Sequence, residues 1–230
     1  MGEFFVWASA LAPENTLAAF RIAEAAGADG LELDVQLSID GVPVVVHDDT
    51  VDRTTDGQGA VSDLTLAELG RLDAGSWFDG TFAAERIPTL EEVLKWGVGR
   101  LRFNVEIKDS AAGQAVLDLA FRYRRAQIVV SSFDHALLAT LRCRAPDLPL
   151  AFLWEQAEWA AAVERAAACR AVSFHPRFDC LAAELVIACH CHGMAVYPWT
   201  VDDPAALEHC RRLAVDGVFC NDPVQVVAWR

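Results

Sequence analysis

The chain has 230 residues, 53% hydrophobic and 23% charged, enough for one sizeable core in a single large α/β domain. Its formal net charge of −14 excludes a nucleic-acid-binding class, which needs a basic face to release counterions, and disfavours an anionic membrane surface. Seven cysteines, an odd count in a chain too large to need staples, read as free thiols in a reducing compartment.

The N-terminus has neither a basic segment nor a long apolar one, so no secretory signal is expected. No apolar run is long enough to span a bilayer, and the expected location is cytoplasmic. Runs 3–8 and 29–35 read as strands, with Asn15-Thr16 opening a helix between them. Run 42–47 follows with no room for a helix. Asp40-Gly41 between two strand patterns predicts a two-residue hairpin loop. That register sets Ile39 against Val42, Asp34 against His47 and Glu32 against Asp49, so Glu32, Asp34 and His47 would share a face.

Residues 50–88 form an insertion, with a short amphipathic patch at 65–72, and read as a lid over the site. Beyond it, runs 101–107, 127–132, 149–154, 170–175, 194–200 and 216–220 alternate with helical stretches. Asp134-His135 opens one helix, Asp202-Asp203-Pro204 another, and Gly193 closes the helix over 181–192. Without the hairpin's return strand, eight parallel strands remain, the number that closes a barrel. The expected fold is a single (β/α)8 barrel over residues 1–230.

Strand C-termini form the working face of such a barrel. They carry Glu32, Asp34, Glu106, Lys108, Phe133, His175 and Trp199. Alone, a Glu-x-Asp pair is usually a solvated face and a Glu-x-Lys pair a surface ion pair; convergence on one mouth is what selects them. Three carboxylates in one cleft repel unless a hard cation such as Mg2+ or Ca2+ lies among them. Lys108, on the same face as Glu106, would offer positive charge to a phosphate. Cys189-His190-Cys191-His192 lacks a second pair at structural-zinc spacing and reads as helix-end decoration.

Several blocks resemble the glycerophosphodiester phosphodiesterase family, bacterial cytoplasmic type, in order along nearly the whole chain. They include Ala12-Pro13-Glu14-Asn15-Thr16-Leu17, Gly30-Leu31-Glu32-Leu33-Asp34-Val35 and Asp40-Gly41-Val42-Pro43-Val44-Val45-Val46-His47-Asp48. Asp52-Arg53-Thr54-Thr55-Asp56-Gly57, Leu72-Asp73-Ala74-Gly75-Ser76-Trp77, Asn104-Val105-Glu106-Ile107-Lys108, Ser131-Ser132-Phe133 and Trp199-Thr200-Val201 continue the pattern.

The resemblance implies hydrolysis of small glycerophosphodiesters to glycerol 3-phosphate and an alcohol, within lipid and glycerol metabolism. It implies a divalent cation held by Glu32, Asp34 and Glu106, with His47 in acid–base catalysis. Lys108 would contact phosphate, and Phe133 and Trp199 would line the glycerol pocket; His175 is a further candidate substrate contact from a distant strand. The family's first strand ends in His-Arg-Gly, and counting back from Pro13 puts Phe5-Val6-Trp7 there. A catalytic histidine and a phosphate-binding arginine are therefore missing, and impaired hydrolysis is the expectation. Two alternatives stand beside it: a non-catalytic phosphodiester- or metal-binding protein, and a barrel phosphodiesterase acting on a lysophospholipid-type substrate. Oligomeric state is left open.

Overall fold

The computed structural model describes residues 3–224. Its strands are β1 (Glu3–Val6), β2 (Gly30–Leu37), β3 (Pro43–Val45), β4 (Arg102–Ile107), β5 (Gln127–Ser132), β6 (Leu150–Trp154), β7 (Ser173–Pro176), β8 (Ala195–Val196) and β9 (Gly217–Cys220). All but β3 run parallel, in the order β8-β7-β6-β5-β4-β2-β1-β9. The two ends meet through Asp216 N–H to the Val196 carbonyl (3.1 Å), Phe219 to Pro198 (3.0 Å) and Val201 to Phe219 (2.9 Å). The result is the expected (β/α)8 barrel, with β3 as the return arm of a hairpin outside the ring.

Helices α1 (Leu17–Ala26), α2 (Leu66–Leu69), α3 (Leu90–Gly97), α4 (Gly113–Arg122), α5 (His135–Arg144), α6 (Ala160–Ala168), α7 (Ala183–Cys191) and α8 (Pro204–Arg212) make the connections. Several of their starts are chemically marked, while α4, α6 and α7 begin without a side-chain cap. Thr16 caps α1, Asp134 caps α5, and Asp203 caps α8 with Pro204 at the first helical position. Gly193, at φ +74°, turns the chain out after α7.

Strand alternation separates the core from the site. Leu31, Leu33 and Val35 of β2, with Phe103, Val105 and Ile107 of β4, belong to the main hydrophobic core shared with the helices. The residues between them, Glu32 and Asp34 on β2 and Asn104 and Glu106 on β4, line the barrel mouth instead. The pairing of β2 with β4 sets Asp34 beside Glu106 and Glu32 beside Asn104.

The hairpin differs from expectation by one residue. The ladder pairs Val35 with Val45, Gln36 with Val44 and Leu37 with Pro43, which sets Asp34 against Val46 and not against His47. The loop has three residues, Ile39-Asp40-Gly41, not two. Gly41 N–H donates to the Ser38 carbonyl (2.9 Å), Ser38 and Val42 face each other, and Gly41 sits at φ +79°. This is a three-residue turn with a left-handed glycine at its third position, and its bulge absorbs the extra residue.

The insertion builds a second, small core from Val44, Val46, Val51, Val61, Leu69, Ala74 and Ile87. Within 50–88, Arg53 is the one described residue that reaches the lining of the mouth. All seven cysteines are unpaired. Cys189 is buried in the main core, while His190 and His192 reach Asp216 and Glu164, so the Cys-His run gathers at no common point. Among the described residues no helix is long and apolar enough to cross a membrane.

Candidate active site

The C-terminal ends of the strands enclose a cavity of about 420 Å³, within the usual range for small-molecule sites. On its floor, carboxylate oxygens of Glu32, Asp34 and Glu106 lie within 4.8 Å of one another, and all three residues are buried. Asp34 is held by Asn15, whose amide donates to Oδ2 (2.9 Å) and whose Oδ1 accepts from the Asp34 N–H (3.3 Å). Asn15 turns back to do so from a left-handed backbone, φ +57°, which Asn tolerates better than most residues. Glu106 pairs with Lys108 at 3.0 Å, and Lys108 lies 3.7 Å from Asp34.

Glu32 is different. It is 1% exposed, and neither side-chain oxygen has a hydrogen-bond partner in the described structure. Burial, reinforced by repulsion from Asp34 and Glu106, holds its pKa well above the ordinary carboxylate value; Lys108 and the Trp7 indole oppose this. Burial and the Asp34 charge likewise push Glu106 up to about 7. Burial would lower the Lys108 pKa, but Glu106 and Asp34 outweigh it and raise it. Three buried oxygen donors, one of them orphaned, with one ammonium among them, fit a hard divalent cation.

His47 reaches this floor by a route the ladder did not predict. β3 ends at Val45, and the chain then leaves the sheet, the His47 carbonyl accepting from Gln36 Nε2 (3.3 Å). The imidazole is half exposed, with Nδ1 2.7 Å from Asp48 Oδ1 and Nε2 3.3 Å from Lys108 Nζ. Lys108 can only donate, so Nε2 is the acceptor and Nδ1 carries the proton toward Asp48. Asp48 is fixed by Arg53, which with burial opposing and His47 assisting lowers it to about 2. Arg53 is bound in turn by both oxygens of Glu14 (2.9 and 2.6 Å).

Phe133 and Trp199 form an apolar wall, rings edge-on at 5.8 Å, with Phe133 41% exposed to the cavity side. Trp199 is braced by its indole N–H on the His175 carbonyl (2.9 Å). His175 itself does not line the mouth. It is 2% exposed, and its Nε2 is 2.8 Å from Ser173 Oγ. Its ring packs on Tyr197 and Phe219, facing a separate cavity toward the strand N-termini. Burial lowers its pKa to about 3, so it is a neutral packing residue; its place one layer below the mouth corrects the expectation of a substrate contact.

The sequence reading missed Asn15, Arg53, Trp7, Ser9 and Glu155 as lining residues. Asn15 and Arg53 stood in the quoted blocks, but nothing in a sequence says that an Asn at a helix entrance turns onto Asp34. Glu155 and Ser9 carried no signal.

Residues 8–225 match the model of the glycerophosphoryl diester phosphodiesterase family. The chain belongs to this family. It is 41% identical, over 94% of its length and 91% of the relative's, to a protein of Caldanaerobacter subterraneus subsp. tengcongensis named glycerophosphodiester phosphodiesterase. A Bacillus subtilis protein of the same name is 32% identical over 94% of this chain and 81% of its own. Among solved structures, an Oleispira antarctica phosphodiesterase in complex with the product sn-glycerol-3-phosphate superposes with a TM-score of 0.90 at 28% identity, covering 99% of this chain and 97% of that one. A Thermotoga maritima glycerophosphodiester phosphodiesterase does so with a TM-score of 0.83 at 31% identity, covering 99% and 97%.

Proposed function

We propose that this family member hydrolyses glycerophosphodiesters to glycerol 3-phosphate and an alcohol, with Glu32, Asp34 and Glu106 holding Mg2+ or Ca2+. The observation that carries this is the orphaned Glu32 carboxylate, buried beside Asp34 and Glu106 at the mouth. An all-oxygen donor set favours these hard cations. When bound, the cation supplies Lewis-acid stabilisation of the phosphoryl oxygens.

The chain's own residues do the rest. Lys108 presents an ammonium to the phosphate and, through its contact with His47 Nε2, orients the imidazole. Asp48, held by Arg53, keeps the proton on Nδ1, and once the Lys108 ammonium turns to the phosphate, Nε2 is released to take a proton from the attacking water. Water attacks phosphorus, the bond to the alcohol oxygen breaks, and that oxygen draws its proton from solvent, since no second imidazole lines the described mouth. Phe133 and Trp199 receive the glycerol carbons.

One acid–base group is thus missing from the pair, a deficit of about 10²–10⁴-fold in rate. The test is glycerol 3-phosphate release from glycerophosphocholine, with Mg2+ and with chelator. Chelator-sensitive release, abolished by Glu32→Gln, is the expected result; release that survives both refutes the reading. Trp7, which follows β1 and lines the mouth where a proton-transfer group is expected, favours a second reading, a phosphodiester-binding protein without turnover. Calorimetric binding of glycerol 3-phosphate in the absence of any hydrolysis would select it.

A further inference from the structure

Ungapped counting puts Phe5 and Val6 where a first-strand acid–base group and its cation would stand, yet the geometry of β1 puts neither at the mouth. β1 pairs with β2 at Phe5–Gly30 and Val6–Leu31, so one further step along both strands brings Trp7 level with Glu32. Side chains alternate along a strand. Phe4 and Val6 lie in the core under the helices. Phe5 points into the barrel below the mouth, 5.5 Å from the Tyr197 ring and 5.3 Å from Phe219. It presses so closely on Gly30 that a Cβ there would come within 2.6 Å of its ring. Trp7 lines the mouth, its ring 5.5 Å from Phe219 and its backbone N–H bonded to the Cys220 carbonyl (3.2 Å), with the indole directed toward Glu32. β1 ends at Val6, and at Ala8 the backbone is left-handed, φ +54°, so the chain leaves the strand direction just beyond Trp7.

We propose that position 7, not position 5, is the first-strand catalytic position of this mouth, and that the Trp7 indole stands where the proton partner of His47 would have to stand. The proposal rests on the phosphodiesterase reading above. Displacement at phosphorus sets the entering and leaving oxygens roughly in line, so a group that protonates the leaving oxygen in place of solvent has to reach the phosphate from the side opposite His47. His47 lies two residues past the end of β3; the residue just past β1, one register step beyond Val6 and Leu31, is Trp7, level with Glu32. An indole N–H donates a hydrogen bond but does not transfer its proton, so Trp7 closes the wall beside Glu32 without completing the pair.

The test compares Trp7→His, Trp7→Phe and the double variant Phe5→His/Val6→Arg. Each is assayed for glycerol 3-phosphate release from glycerophosphocholine with Mg2+, and for site-resolved modification of the introduced imidazole by diethyl pyrocarbonate. Trp7→His is expected to raise kcat/KM roughly tenfold or more. Trp7→Phe gives no rise, and the double variant gives none and melts at a lower temperature. The imidazole at position 7 reacts and is protected by glycerol 3-phosphate; the one at position 5 does not react.

A gain from the double variant, an equal gain from Trp7→Phe, or an unreactive imidazole at position 7 overturns the proposal. So does wild-type turnover that Trp7→His fails to improve. If no protein turns over but the imidazole at position 7 reacts and is protected, the placement stands and the phosphodiesterase reading is what fails.

Discussion

At the scale of single residues, the site is a set of carboxylates held at different electrostatic costs. Asp34 has Asn15 and Lys108; Glu106 has Lys108; Glu32 has only the more distant Lys108 charge and the Trp7 indole, neither in well-formed hydrogen-bond geometry. Asn15→Ala removes an outer-shell partner of the metal-binding carboxylates, and such losses typically cost 10–100-fold in metal affinity. Calorimetry with Mn2+ should show a loss of that order with little change in fold. The raised pKa of Glu106, about 7, sets a second expectation. Between the ordinary carboxylate value and about pH 7, the unfolded chain releases the proton that the folded, metal-free protein keeps. Stability from this group is therefore complete below that window and is lost as pH rises through it. Metal-free wild type should lose melting temperature from pH 5 to pH 8 relative to Glu106→Gln, and a saturating divalent cation should cancel the wild-type loss. A difference of opposite sign would mean that Glu106 is ionised in the metal-free fold.

At the scale of elements, the β2–β3 hairpin decides how His47 arrives. The Asp-Gly pair signals a turn, but loop length is set by Ser38, whose hydroxyl accepts from Val42 N–H (3.0 Å) and donates to Asp40 (2.7 Å). That network favours three loop residues over two, and a one-residue change in register exchanges the faces of a strand. His47 escapes the consequence because it lies beyond the ladder. Gly41→Ala, at φ +79° with open space around it, should cost about 1 kcal/mol of stability through backbone strain alone. Denaturant titration measures this, and metal affinity should stay within twofold of wild type. A much larger loss of metal affinity would show that the hairpin loop controls the mouth directly. The helix entrances, by contrast, are local: Thr89 and Glu92 form a complete capping box at α3, and Thr65 and Glu68 form another at α2.

At the scale of the whole molecule, the barrel keeps its main core between strands and helices and reserves the strand C-termini for polar groups. A cation bound there stabilises the native state alone. At a hundredfold excess over Kd it should add about 2.7 kcal/mol, which for a domain of this size is a rise of roughly 5–10 °C in Tm. Scanning calorimetry with Mg2+ and with chelator checks this, and Glu32→Gln should abolish the rise. An unchanged melting temperature at millimolar Mg2+ or Ca2+ would count against metal binding altogether.

The sequence by itself determined the number and order of the strands, the helix entrances at Thr16, Asp134 and Asp203, and the gathering of Glu32, Asp34, Glu106 and Lys108 on one face. These follow from period-two alternation and local capping chemistry, which act between residues close in the chain. Tertiary structure alone decided the rest. It set the hairpin register, the depth of His175 within the barrel, the return of Asn15 onto Asp34 and the Arg53–Glu14–Asp48 cluster. It also decided which residue at the end of the first strand faces the carboxylates, Trp7 just beyond β1 and not Phe5. Each depends on the offset of one strand against a neighbour or on a contact across many residues. A linear pattern records which side a residue faces, but not how far along the barrel axis it stands.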